Sequence, residues 1–134
     1  MRVITLLLCA LLVAGLLASV ASAEAIYIFG GTDHKEFLGC LNCSATDAAS
    51  LWNDYSNVGI RNDYGKWNPF GQYANPYSSD SACNEYTGEA PVIVWQSGDY
   101  YGKFSVNSYA LDSICGIQGN ASLCTALKEI CASK

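Results

Sequence analysis

Residues 91–107 read Pro91-Val92-Ile93-Val94-Trp95-Gln96-Ser97-Gly98-Asp99-Tyr100-Tyr101-Gly102-Lys103-Phe104-Ser105-Val106-Asn107, and this stretch decides the fold class. Pro91 to Trp95 is a β-branched and aromatic run, and Gln96-Ser97-Gly98-Asp99 is turn chemistry. Tyr100 to Asn107 returns as a second strand, so a β-hairpin is predicted. Toward the N-terminus, Ala25 to Phe29 is another short apolar run, closed by Gly30-Gly31. Glu36 to Leu41 is a further candidate strand, and the intervening Gly-Gly-Thr-Asp-His-Lys suits a turn, so a second hairpin is expected. Toward the C-terminus, Gly116 and Gly119 mark a loop. Asn120 then caps a predicted helix from Ala121 to about Ala132, with Leu123, Cys124, Leu127 and Cys131 on one side. Hairpins followed by a terminal helix predict an α+β class, here a small disulfide-rich domain with a loop-rich segment between its hairpins.

That middle segment carries two signals. Ser44-Ala45-Thr46-Asp47 has the form of a capping box, and Ala48, Leu51, Trp52 and Tyr55 follow at helical spacing. A helix stopped by Gly59 is therefore predicted. Residues 50–86 also repeat: Trp52-Asn53-Asp54-Tyr55 is echoed by Trp67-Asn68-Pro69-Phe70 and again by Cys83-Asn84-Glu85-Tyr86. The frame predicts a Trp or Cys anchored inward, an Asn capping a tight turn through nearby backbone, and an aromatic packed over the next copy.

The chain opens Met1-Arg2, runs almost wholly apolar from Val3 to Val20, and reaches Ala21-Ser22-Ala23 before Glu24. This is the three-part layout of a cleavable signal peptide spanning residues 1–23. A membrane anchor has no need of the small-x-small exit, and no positive stop-transfer cluster follows. Residues 24–134 are then expected as one secreted domain, extracellular or periplasmic. Losing Arg2 leaves six basic residues against twelve acidic ones, a net charge of −6. No basic patch stands out, so nucleic acid and membrane partners are disfavoured.

Cys9 leaves with the leader, and Cys40, Cys43, Cys83, Cys115, Cys124 and Cys131 remain. Six cysteines in an oxidising compartment predict three disulfides. Three lie before residue 90 and three after, so at least one bridge must join the halves if all pair. Cys124 and Cys131 are seven apart on the predicted helix, about 10 Å along its axis, beyond the reach of a disulfide. Cys115 is a plausible partner for one of them and an N-terminal cysteine for the other, with Cys83 expected to meet Cys40 or Cys43. Cys40-Leu41-Asn42-Cys43 is formally a CxxC, but a redox site wants a helix directly behind the first cysteine, and Phe37-Leu38-Gly39 reads as a strand. A zinc site wants two close ligand pairs, and only one is present.

The run Phe37-Leu38-Gly39-Cys40-Leu41-Asn42-Cys43, the Trp-Asn-x-aromatic units, and Ala90-Pro91-Val92-Ile93-Val94 leading to Tyr101-Gly102-Lys103-Phe104-Ser105-Val106-Asn107 together resemble an uncharacterised family of small secreted bacterial proteins. The resemblance covers about residues 36–107. Ile60-Arg61-Asn62-Asp63 and Pro69 depart from the family's more regular spacing, and residues 111–134 fall outside the likeness. The resemblance implies export, and it carries no activity over to this chain.

His34, the sole histidine, lies in a polar turn beside Asp33 and outside any nucleophile motif, so a solvated loop residue is expected rather than a catalytic one. Paired carboxylates could cleave glycosides, but a domain this small seldom builds the cleft. No enzyme activity, metal or cofactor is expected, and no EF-hand spacing supports calcium. Exposed aromatics on crosslinked loops suit recognition of an extracellular protein or carbohydrate, because rings give contact area at small entropic cost. Tyr64, Phe70, Tyr73, Tyr77 and Tyr100 are the candidate contacts. A binding or envelope-associated structural role is the leading expectation, and a secreted inhibitor of an extracellular hydrolase the alternative.

Overall fold

The computed structural model describes residues 23–134, so the expected leader, apart from Ala23, lies outside the described residues. Four strands form one antiparallel sheet: β1 (Ile26–Gly30), β2 (Glu36–Cys40), β3 (Val92–Trp95) and β4 (Tyr100–Lys103). Their order is β2-β1-β3-β4. Both predicted hairpins are present, and they are joined where β1 pairs with β3, Ile28 opposite Ile93. Alternation then sorts the side chains. Ile28, Leu38 and Ile93 are fully buried on the inner face. Tyr27, Phe29 and Phe37 meet edge to face across β1 and β2, with ring centroids 5.6–6.4 Å apart.

The final strand is shorter than predicted. After Phe104, whose N–H still bonds Pro91 O (2.8 Å), the backbone leaves the sheet, because Val106 donates to the Ala82 carbonyl (2.9 Å) and Ser105 Oγ takes the Asn107 N–H. Each hairpin contains a register shift, one near Ile28/Phe29 and one near Ile93/Val94. The first falls opposite Gly39, whose φ of 138° suits glycine alone.

The predicted helix after Ser44 does not form. From Ser44 to Gly71 the chain is a succession of tight turns in which every third N–H bonds to the carbonyl three residues back. Asp47, Ser50, Asn53, Ser56, Gly59, Asn62, Gly65, Asn68 and Gly71 occupy the turn corners. The register slips by one where Asn75 bonds Gly71, with Tyr73 and Ala74 tucked into the core, and then resumes at Ser78, Ser81 and Asn84. The physical reason is local competition. A Ser, Asn or Asp side chain at a corner accepts the N–H two residues on, a bond that an α-helix does not need. Leu51 is fully buried while Tyr55 is 98% exposed, so these two residues do not share one helical face.

The turns stack on one another. Ile60 N–H reaches Leu51 O (2.8 Å), Lys66 reaches Asn57 (2.9 Å) and Ala82 reaches Tyr73 (2.9 Å), each nine residues apart. Serine corners point inward: Ser50, Ser81 and Ser113 are buried, and Leu51, Ala82 and Ile114 follow them into the core. Glycine stands where coils touch, since a Cβ at Gly59 or Gly65 would collide with the carbonyl oxygen of Asn53 or Asn57. Trp67 and Phe104 fill the space between this stack and the sheet, their centroids 5.8 Å apart. Trp67 Nε1 donates to Leu38 O at 3.1 Å, which satisfies its buried N–H.

Three further turns at 110–119 lead to Asn120, whose Oδ1 accepts from Leu123 N and opens α1 (Ala121–Ala132). Leu127 and Ile130 bury one side of α1. The disulfides are Cys40–Cys43, Cys83–Cys131 and Cys115–Cys124, with Cα separations of 5.5, 5.6 and 5.0 Å. Cys115 takes one helical cysteine, as the spacing suggested. The expectation that Cys83 meets Cys40 or Cys43 is corrected: those two bridge each other, which frees Cys83 to staple the turn stack to α1.

Candidate functional site

The asparagine corners behave differently from the serine corners. In Asn53-Asp54-Tyr55, Asn62-Asp63-Tyr64, Asn68-Pro69-Phe70, Asn75-Pro76-Tyr77, Asn84-Glu85-Tyr86 and Asn107-Ser108-Tyr109, the Asn Oδ1 accepts the N–H of the aromatic residue at 2.8–3.1 Å. Where the stack allows, the same amide also donates. Asn53, Asn62 and Asn84 Nδ2 reach the carbonyls of Asp47, Ser56 and Ser78, six residues back. Asn107 Nδ2 reaches Thr87 O. An amide can do both, and a carboxylate can only accept. The result is a rigid corner that carries its aromatic into solvent: all six rings are 82–98% exposed.

Three of the five candidate contacts, Tyr64, Phe70 and Tyr77, belong to this set. Tyr73 does not. It is buried against Trp67, with ring centroids 6.3 Å apart, and its hydroxyl donates to Glu36, so it serves the core. Burial raises the Tyr73 phenol well above its ordinary value, and the Glu36 hydrogen bond adds to this. Reciprocally, that bond holds Glu36 below its usual range, assisted by Lys66. Tyr100 is half exposed on β4, bonded to Asp112 at 2.7 Å and likewise raised, first by burial. It lies apart from the Asn-led turns.

Tyr55, Tyr86 and Tyr109 are missing from the sequence-derived contacts. Their signal was present in the asparagine two positions earlier. Anchoring the frame on Trp52, Trp67 and Cys83 gave prominence to the residue before the asparagine, where the amide itself sets the pattern. The predicted packing of each aromatic over the next copy is also corrected, because a ring at an Asn corner faces water.

Tyr77 and Tyr86 line one groove with Pro76, Cys83, Asn84 and Glu85. An adjoining hollow shares Cys83 and Glu85 and adds Val106, Lys128, Cys131 and Ala132. The Cys83–Cys131 bridge therefore lies at the junction of the two. A larger hollow lies elsewhere, lined by Tyr101, Leu111, Asp112 and Gln118 among others. Its carboxylate already holds Tyr100 and lies 3.9 Å from Lys103. His34, expected in a solvated turn, has φ 53° and a buried Nε2 with no hydrogen-bond partner among the described residues. No group of three or more metal-ligating side chains occurs among the described residues. In comparisons with known proteins, no family model, no curated protein and no solved structure matches this chain.

Proposed function

We propose that this chain is an exported, non-catalytic binding module whose working surface is the set of aromatic rings held outward at the asparagine corners. One observation carries the reading: six large rings remain solvent-exposed although the backbone beneath them is fully tied down. Exposed aromatics of this size attract partners, because their burial on contact removes apolar area from water at little cost in side-chain freedom. The repeated sequence frame of residues 50–86 is, on this reading, a means of presenting one contact several times.

Export is part of the proposal. Three disulfides support it, as does the leader layout of residues 1–23. No helix among the described residues is long and apolar enough to cross a membrane. N-terminal analysis of the exported protein should find Glu24 first. For binding, wild type and a Tyr64→Ser/Tyr77→Ser/Tyr86→Ser variant would be compared on immobilised polysaccharides and polypeptides. The variant should lose retention while its melting temperature stays unchanged. Equal retention of the two proteins on every matrix would refute the reading.

A further inference from the structure

We infer that the ligand is a cationic polypeptide segment, rich in lysine or arginine, seated across Tyr77, Glu85 and Tyr86. This deepens the binding reading above and rests on it.

The charge of the turn stack points this way. Between residues 44 and 89 the acidic side chains are Asp47, Asp54, Asp63, Asp80, Glu85 and Glu89, and the basic ones are Arg61 and Lys66 alone. Both cations are engaged within the fold. Lys66 sits 3.3 Å from Glu36, and the Arg61 guanidinium lies over the Trp52 ring at 5.6 Å. Carboxylates recur beside the exposed rings, as Asp54 beside Tyr55, Asp63 beside Tyr64 and Glu85 beside Tyr86.

The hydrogen-bonding inventory narrows the ligand further. Asn84, the polar side chain between the two tyrosines, has its Oδ1 and Nδ2 committed to backbone. Beside the Tyr77 and Tyr86 hydroxyls, which accept as well as donate, what remains free in the groove is the Glu85 carboxylate, the one charged group there, which accepts and cannot donate. A ligand that satisfies it must bring donors, and a positive charge gains most, both from the carboxylate and from the faces of Tyr77 and Tyr86. Lys128 lines the adjoining hollow on the α1 side together with Glu85, but is not within ion-pair distance of it, so the carboxylate is left unpaired.

The chain supplies its own example of the charged half of the contact. Lys134, whose side chain is almost entirely buried, places its ammonium 2.5 Å from Asp63 of the Asn62-Asp63-Tyr64 turn. A lysine is thus already seated at one acidic Asn-led turn, and the Glu85 turn offers the same combination unoccupied by any ion pair. Several ring-and-carboxylate pairs along one rigid stack favour a polymeric cation, which can engage them together, over a small amine.

The test uses the disulfide-intact protein and titration calorimetry with deca-lysine, deca-glutamate and a neutral hexasaccharide of glucose. Deca-lysine should bind, deca-glutamate should not, and raising the salt should weaken the lysine complex. Tyr86→Ser, which leaves net charge unchanged, should weaken deca-lysine binding by about two- to fivefold, as should Glu85→Gln, on the scale of an exposed cation–π contact. Glu129→Gln makes the same charge change on exposed α1 and should have no effect. Melting curves of each variant verify folding. Wild-type affinity in both Tyr86→Ser and Glu85→Gln overturns the inference, as does failure of deca-lysine to bind. Hexasaccharide binding that is lost in Tyr86→Ser and kept in Glu85→Gln would also overturn it, yet leave the broader binding reading standing. If no probe responds to ring substitution, the inference falls, and the broader reading is then decided by the retention of the triple variant on the wider set of matrices.

Discussion

At the residue scale, the serine and asparagine corners divide the labour by side-chain length and hydrogen-bonding capacity. A serine hydroxyl is short, and at buried corners it both accepts locally and donates to a neighbouring coil, as Ser81 does to Tyr73 O and Ser113 to Ser105 O. Asparagine reaches further and holds an exposed corner. Asn84→Ala removes two bonds at once and should cost roughly 1–3 kcal/mol. Asn84→Asp keeps the acceptor and loses the donor, so it should cost less; urea denaturation of the pair checks the order. The Glu36–Tyr73 pair gives a pH signature. Glu36 is depressed below its ordinary 4.5, so its contribution is present above that value and is lost as pH falls below it. Tyr73 is raised above its ordinary 10.0, so its contribution is present below that value and is lost as pH climbs above it. Melting temperature should therefore fall on both flanks. Tyr73→Phe should reduce both, because it removes one titrating phenol and the main bond that depresses Glu36, while Lys66 still holds Glu36 down and Tyr100 still contributes on the alkaline side.

At the element scale, the turn stack takes the place that a helix was expected to fill. Its spacing of Ala48, Leu51, Trp52 and Tyr55 imitates a helical face. What separates the two outcomes is the polar residue at every third position from Ser44 to Ser56, because each one captures a backbone N–H and closes a turn. Coil-to-coil contact then requires glycine at particular corners. Gly59→Ala would drive a methyl group into the Asn53 carbonyl, whereas a methyl at Gly88 meets nothing within 4 Å. The first substitution should destabilise by about 1–3 kcal/mol through overpacking and the second should be nearly neutral, a contrast that thermal denaturation of the two variants measures directly.

At the scale of the whole molecule, the Cys83–Cys131 bridge spans 48 residues and ties the stack to α1. Cross-linking a loop of that length removes chain entropy from the unfolded state worth about 4 kcal/mol. Cys83→Ser/Cys131→Ser should lower stability by up to that amount, measured by denaturant titration. The same pair of changes at Cys40 and Cys43, only three residues apart, should cost clearly less. Because Cys83 lines the Tyr77–Tyr86 groove and Cys131 the hollow that adjoins it, the long bridge helps to fix the surface proposed for binding.

Much of the fold was legible in the chain. Val92 to Trp95 and Ile26 to Phe29 are strands because β-branched and aromatic side chains suit a pleated, half-buried surface, and Asn120 announces α1 because its side chain caps the first free N–H groups. The turn chemistry of asparagine was legible too, since it acts within two residues. Tertiary structure alone decided three things: that β1 pairs with β3, that Cys83 meets Cys131, and that Tyr73 turns inward while Tyr64, Phe70 and Tyr77 turn outward. Each depends on which segment lies against which, over separations from 9 to 69 residues. Local propensity has no term for such contacts, and they are settled only when the stack, the sheet and the helix close on Trp67 and Phe104.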